Sequence, residues 1–227
     1  MDLRFWRKRG PDVSLDSIQI DTSGWTLAST DKNRRVWQDQ FGNSLCLDLD
    51  KRRVRLPPPS DKQRMQRFCR GFAEVDDGAI VSGGAADAGG VYSIEVIRKH
   101  KDGMGYRYTG LLAIPFTAAS LTVVVAAREH GMTGTREAVV TKRLIESGEL
   151  ELPDEITDGS QPIKGWFRDP YESDYKGRVL CSISDSERYD DIFPDHPLSI
   201  VRRTLNQIRH SLKYEAVTLQ PPSSPSA

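Results

Sequence analysis

The stretch from Val91 to Arg128 constrains this chain most, because it holds three long extended segments with only short turns between them. In Val91 to Lys101, Tyr92, Ile94 and Val96 alternate with Ser93, Glu95 and Ile97, which is the period of a strand. Lys101-Asp102-Gly103 is a turn signal, and Tyr106 to Phe116 reads as a second strand. Ser120 to Arg128 is the third. Its run Val123-Val124-Val125-Ala126-Ala127 has no polar face, which predicts a central strand covered on both sides. Long strands joined by short loops form an antiparallel meander, here the centre of a sheet.

The flanking segments supply more strands and the covering layers. Ile18 and Ile20 alternate, as do Trp25 and Leu27. Val36-Trp37 lies in a short strand, and Leu45, Leu47 and Leu49 share one face of Asn43 to Asp50 after the turn signal Gly42-Asn43. These predict a first small meander. Pro57-Pro58-Pro59 stops it, since proline cannot donate to a ladder. Ser60 with Gln63 suggests a capping box for a helix over about Asp61 to Val75, with Met65, Phe68, Cys69 and Phe72 on its apolar face and Arg64, Arg67 and Arg70 on its polar face. Ala79 to Ser82 reads as a short strand and Gly83 to Gly90 as a flexible hairpin loop. A phosphate cradle is disfavoured there, because a strand follows the glycines where a helix is needed. A helix capped by Thr133 or Thr135 follows, with Glu137 suiting its positive end and Gly148 its C′ position. The region Glu149 to Asp195 is irregular apart from a strand over Arg178 to Ser184. A last helix starts near Asp195, carries Pro197 in its first turn and runs to about Lys213. The order of elements predicts an α+β fold: an α/β/α sandwich on a mainly antiparallel sheet. It forms a single domain over 17–217, flanked by a flexible basic arm over 1–16 and a disordered tail over 218–227.

The formal net charge is zero, from 32 basic and 32 acidic residues, which argues against a protein that coats nucleic acid with its whole surface. The zero hides a split. Residues 1–70 hold 15 basic and 9 acidic residues, whereas 151–195 hold 12 acidic and 5 basic. Cys46, Cys69 and Cys181 match neither a zinc pattern nor an even disulfide framework, so they are expected as small buried hydrophobes in a reducing cytoplasm. No apolar run approaches the ~20 residues of a spanning helix, so no integral membrane segment is expected.

Chemistry is harder to find. No Gly-x-Ser-x-Gly elbow, Walker loop or His-Glu-x-x-His occurs. The acidic stretch offers Asp169, Glu172, Asp174, Asp190 and Asp191 as candidate ligands of a divalent cation, although the order of a calcium loop is missing. Trp166, Phe167, Tyr171, Tyr175, Tyr189 and Phe193 are interleaved with these acids and are candidate anchors for a protein partner. The four histidines (His100, His130, His196 and His210) form no pair at ligand spacing. His130 with Thr133 or Thr135 could be drawn as base and nucleophile, but competing helix caps explain the threonines better. His196 reads as part of a cap. The run Lys51-Arg52-Arg53 and the arginine face of the first helix lack a nucleic-acid reader motif, so no nucleic-acid partner is expected.

Tyr108-Thr109-Gly110 in a sheet strand, Val123-Val124-Val125 leading to the helix at Thr135, and the closing amphipathic helix make Gly24 to Lys213 resemble the PsbP-like superfamily, including the bacterial DcrB-like proteins. The resemblance is one of topology. It implies a non-enzymatic accessory protein that binds a protein partner, adaptor- or chaperone-like, with no cofactor and no catalytic residues to carry over. The alternative expectation is a divalent-metal-dependent hydrolase using the acidic segment 169–195.

Overall fold

The computed structural model describes residues 13–52, 54–73, 77–117, 119–151, 165–172 and 179–214. Of the expected basic arm only its last four residues fall within these bounds, and the expected tail falls outside them.

A seven-stranded sheet forms the middle layer. Its strands are β2 (Thr26–Thr30), β3 (Arg34–Gln38), β4 (Ser44–Asp50), β5 (Ala79–Ala88), β6 (Val91–Asp102), β7 (Gly105–Pro115) and β8 (Ser120–Arg128). They lie in the order β2-β3-β4-β8-β7-β6-β5. Every neighbouring pair is antiparallel. The two meanders thus join into one sheet, and β8 takes the expected central place between β4 and β7. Among the described residues, three α-helices complete the fold: α1 (Lys62–Ala73), α2 (Thr135–Glu146) and α3 (Pro197–Ser211).

The layers follow from the side-chain pattern. Leu45, Leu47 and Leu49 of β4, Tyr108 and Leu112 of β7, and Leu121, Val123 and Val125 of β8 form one buried cluster with Leu198, Val201, Leu205 and Ile208 of α3. Each such buried aliphatic contributes about 1.5–3 kcal/mol relative to exposure. The other face carries Ile80, Ile94, Val96 and Ala113 under Met65, Cys69 and Ala73 of α1. Helices on opposite faces of an antiparallel sheet give the expected α/β/α sandwich. The approach of α3 is close at Gly110, where a Cβ would lie 2.5 Å from Leu205 Cδ1 and 2.7 Å from Val201 Cγ1.

Several local expectations are corrected. Gly83 to Ala88 is not a hairpin loop but the second half of β5, paired with β6 as far as Ala88. The small residues suit close packing, since a Cβ on Gly83 would come within 2.8 Å of Cys69 Sγ and 3.0 Å of the Tyr171 hydroxyl. Ile18 does not belong to the first meander. β1 (Ile18–Gln19) pairs instead with β11 (Lys213–Tyr214), which ties the two ends of the domain together. Asp61, rather than Ser60, caps α1 by accepting the Arg64 amide at 3.0 Å. Gly134, in the left-handed region at φ 74°, is the N-cap of α2. The hydroxyls of Thr133 and Thr135 donate to the carbonyls of Met104 and Met132. The expected strand over Arg178 to Ser184 shrinks to β10 (Cys181–Ser182), paired with β9 (Phe167–Arg168), because a 3-10 turn begins at Ile183.

Candidate metal centre

Two loops that run into helix starts meet at one end of the sheet. The first leaves β8 at Arg128 and enters α2 after Gly134. The second runs through Pro194 and Asp195 into α3. Glu129 comes from the first loop, Glu137 from the first turn of α2, and His196 from the N-cap of α3. One donor atom from each of the three lies within 4.8 Å of the other two.

Glu129 is held in place by backbone. Its Oε2 accepts the Tyr106 amide at 2.9 Å and its Oε1 the Gly134 amide at 3.2 Å. Burial would raise this carboxyl, but His196 and the two amides outweigh burial and hold it below its ordinary value. Glu137 is placed differently. Its two oxygens are buried, and neither has a partner with hydrogen-bond geometry among the described residues. Burial pushes its carboxyl up, against its own backbone amide and the more distant Lys99. Two neighbouring carboxyls are therefore driven in opposite directions, the pattern found where acid, base or cation chemistry is organised.

His196 faces them. Its side chain is 8% exposed, and its Nε2 lies 3.6 Å from Glu129 Oε1, too far for a hydrogen bond. The opposite ring nitrogen, Nδ1, accepts the Leu198 amide at 3.2 Å and caps α3. The Tyr108 ring stands edge-on to the imidazole, with centroids 5.3 Å apart. Behind it the Tyr108 hydroxyl donates to Asp185 Oδ1 at 3.1 Å, and Lys99 Nζ pairs with Asp185 Oδ2 at 2.5 Å. The Lys99–Asp185 pair is 3% and 0% exposed, so a buried ion pair lies behind the trio.

Glu129 and His196 also line a cleft of about 410 Å³. Its rim carries Phe41, Met132 and Ile192, which are 60%, 86% and 41% exposed. A concave site lined by apolar side chains and a few polar groups is the usual form of a ligand site. A larger cleft of about 630 Å³ lies along α3, but its arginines are already engaged. Arg202 is bonded to Asp190, Arg203 to the Pro194 carbonyl, and Arg209 to the Asp87 carbonyl and Glu95.

The acidic stretch lies elsewhere and is divided. Asp169, 3% exposed, accepts both Arg70 Nη1 and Nη2, at 2.9 and 2.6 Å. Glu172 accepts from Gln66 of the same helix. Asp190 accepts Arg136 Nη2 and Ser199 Oγ, each at 2.9 Å, and both of its oxygens accept Arg202 Nη1 at 3.1 Å. Asp191 is exposed. Asp169 and Asp190 are thus each occupied by arginine, on opposite sides of the sheet. Asp174 and Tyr175 lie outside the described residues. Of the aromatics, Trp166 and Tyr189 are buried against Val140 and Leu144 of α2, with Phe193 packed alongside. Tyr171 packs against the α1 cluster and donates to the Gly83 carbonyl at 3.0 Å, while Phe167 is exposed.

His130 is exposed, with Thr133 and Thr135 hydrogen-bonded to backbone carbonyls. The sequence reading missed Glu129 and Glu137 as site residues and took His196 only for its capping role. The signal was the loop after a central strand, where function often collects. Its partner, His196, lies far along the chain, and no spacing rule connects them. No family model matches the chain, and no curated protein matches it.

Proposed function

We propose that this protein binds a divalent cation at Glu129 and Glu137, beside His196, and that the cleft above brings a ligand to the ion. The observation that carries this reading is the Glu137 carboxyl: among the described residues both of its buried oxygens lack a hydrogen-bond partner, and they sit with a second carboxylate and an imidazole nitrogen that likewise lacks one. A buried carboxylate without hydrogen bonds is costly, and a cation between two carboxylates removes that cost. A cation held beside the cleft can also polarise an oxygen of a bound ligand, so metal-assisted hydrolysis has its natural place here, on residues other than those of the acidic stretch. The test is thermal unfolding of the full chain, dialysed against chelator, with single divalent cations added. A cation at about 100 times its Kd stabilises by about 2.7 kcal/mol, which raises Tm by roughly 5–10 °C for a chain of this size. Glu137→Gln keeps the shape and removes the charge, so its cation-free Tm stays at or above that of the parent and the shift disappears. No shift with any cation in the parent chain defeats the reading.

A second reading is a protein-binding accessory role, which is what the resemblance to PsbP-like proteins implies. It is favoured by the exposed Phe41, Met132 and Ile192, which cluster on the same rim.

A further inference from the structure

Resting on the cation reading, we infer that the ion is a hard, oxygen-liganded one of the magnesium, manganese or calcium class, and that His196 serves it as a hydrogen-bond donor, not as a ligand. The nitrogen of His196 that carries the proton decides which role the ring can take. Nδ1 accepts the Leu198 amide and so has no proton of its own. A neutral imidazole has one N–H, which is then at Nε2, the atom that faces Glu129 and Glu137. To ligate a metal through Nε2, the ring must move this proton to Nδ1. Nδ1–H would then confront the Leu198 N–H, donor against donor, and the first turn of α3 would lose its side-chain cap.

The carboxylates have no such conflict. Each Glu129 oxygen accepts one amide and keeps a further lone pair, and both Glu137 oxygens lack a hydrogen-bond partner among the described residues. The set offered to an ion is therefore all oxygen, which suits hard cations and not zinc, nickel or copper. The charges also balance. Lys99 is committed to Asp185, so the two glutamates match one divalent ion. With an ion in place, Nε2–H is free to donate to a ligating carboxylate or to an ion-bound water, the outer-shell role commonly filled by such groups.

The experiment uses the full chain stripped of metal. Mn²⁺, Mg²⁺, Ca²⁺ and Zn²⁺ are titrated singly and in competition by calorimetry. Long-range ¹H–¹⁵N spectra of histidine-labelled protein report the His196 tautomer before and after addition. The expected result is that Mn²⁺, Mg²⁺ or Ca²⁺ binds in preference to Zn²⁺, that Nε2 keeps its proton throughout, and that His196→Asn weakens the preferred cation by about tenfold, with the order of preference unchanged. Preference for Zn²⁺ together with loss of the Nε2 proton on binding overturns the inference but leaves the cation reading standing. Failure of every cation to bind defeats that reading itself. The spectra of the parent chain decide the matter even if His196→Asn does not fold.

Discussion

At the scale of single residues, a buried Lys99–Asp185 ion pair lies behind the candidate site. Burial would raise the Asp185 carboxyl, but Lys99 and the Ser182 amide outweigh burial and hold it below its ordinary value. Burial would lower Lys99, and Asp185 reverses that. A depressed carboxyl contributes stability that is complete above its unfolded pKa of about 3.9 and is lost as the pH falls through the lower folded value. Removing the cation alone leaves an unpaired buried charge. Lys99→Met is therefore expected to cost about 3–5 kcal/mol in urea unfolding at pH 7, and this loss is expected to shrink as the pH falls and the buried Asp185 takes up a proton. A loss below about 1 kcal/mol at pH 7 would contradict this account of the pair. None of it was legible in the sequence. Lys99 looks like one polar residue of an alternating strand, and Asp185 like one acid among many. Arg136 is a similar case. It is 1% exposed in the first turn of α2 and bonds to the Ser184 and Ser186 carbonyls, Ser199 and Asp190, yet nothing near it in the chain marks it as buried.

At the scale of elements, the long strands and two helices were legible because their burial is periodic. Met65, Cys69 and Ala73 of α1, and Leu198, Val201, Leu205 and Ile208 of α3, all face the sheet as their spacing requires. The second half of β5 was not legible, since glycine and alanine carry no apolar period, and their place is set by Cys69 and Tyr171 from other elements. The same kind of constraint operates at Gly110, over which α3 lies. Gly110→Ala inserts a methyl where Leu205 and Val201 already sit and is expected to cost about 1–3 kcal/mol, read as a lower urea midpoint with an unchanged m-value. Gly84 has open space at its Cβ, so Gly84→Ala is the matched control and should not destabilise. Equal losses at the two positions would show that the close approach of α3 is not what requires glycine at 110.

For the whole molecule, the balance between a basic first third and an acidic later segment is partly resolved by contact. Arg70 of α1 is clamped by Asp169, so at this point the opposed segments neutralise each other rather than presenting two separate faces. The irregular region could not be placed from sequence because these contacts are distant along the chain, whereas each meander is set by its own turns. The sheet order also carries a kinetic consequence. β2, β3 and β4 form one locally wired half, and β5 to β8 form another. The halves are closed by one seam, where Leu45, Leu47 and Leu49 pair with Val125, Val123 and Leu121. Each half needs only short loops to form, whereas the seam must bring distant parts of the chain together, and loop closure of that kind slows folding. Seam formation is therefore expected to limit the folding rate. Leu47→Ala and Val123→Ala should mainly slow refolding, with φ-values above about 0.5, while Leu27→Ala on the edge strand should act on unfolding alone. Uniformly low φ-values along the seam, measured by stopped-flow chevrons, would show that the halves join only after the barrier has been crossed.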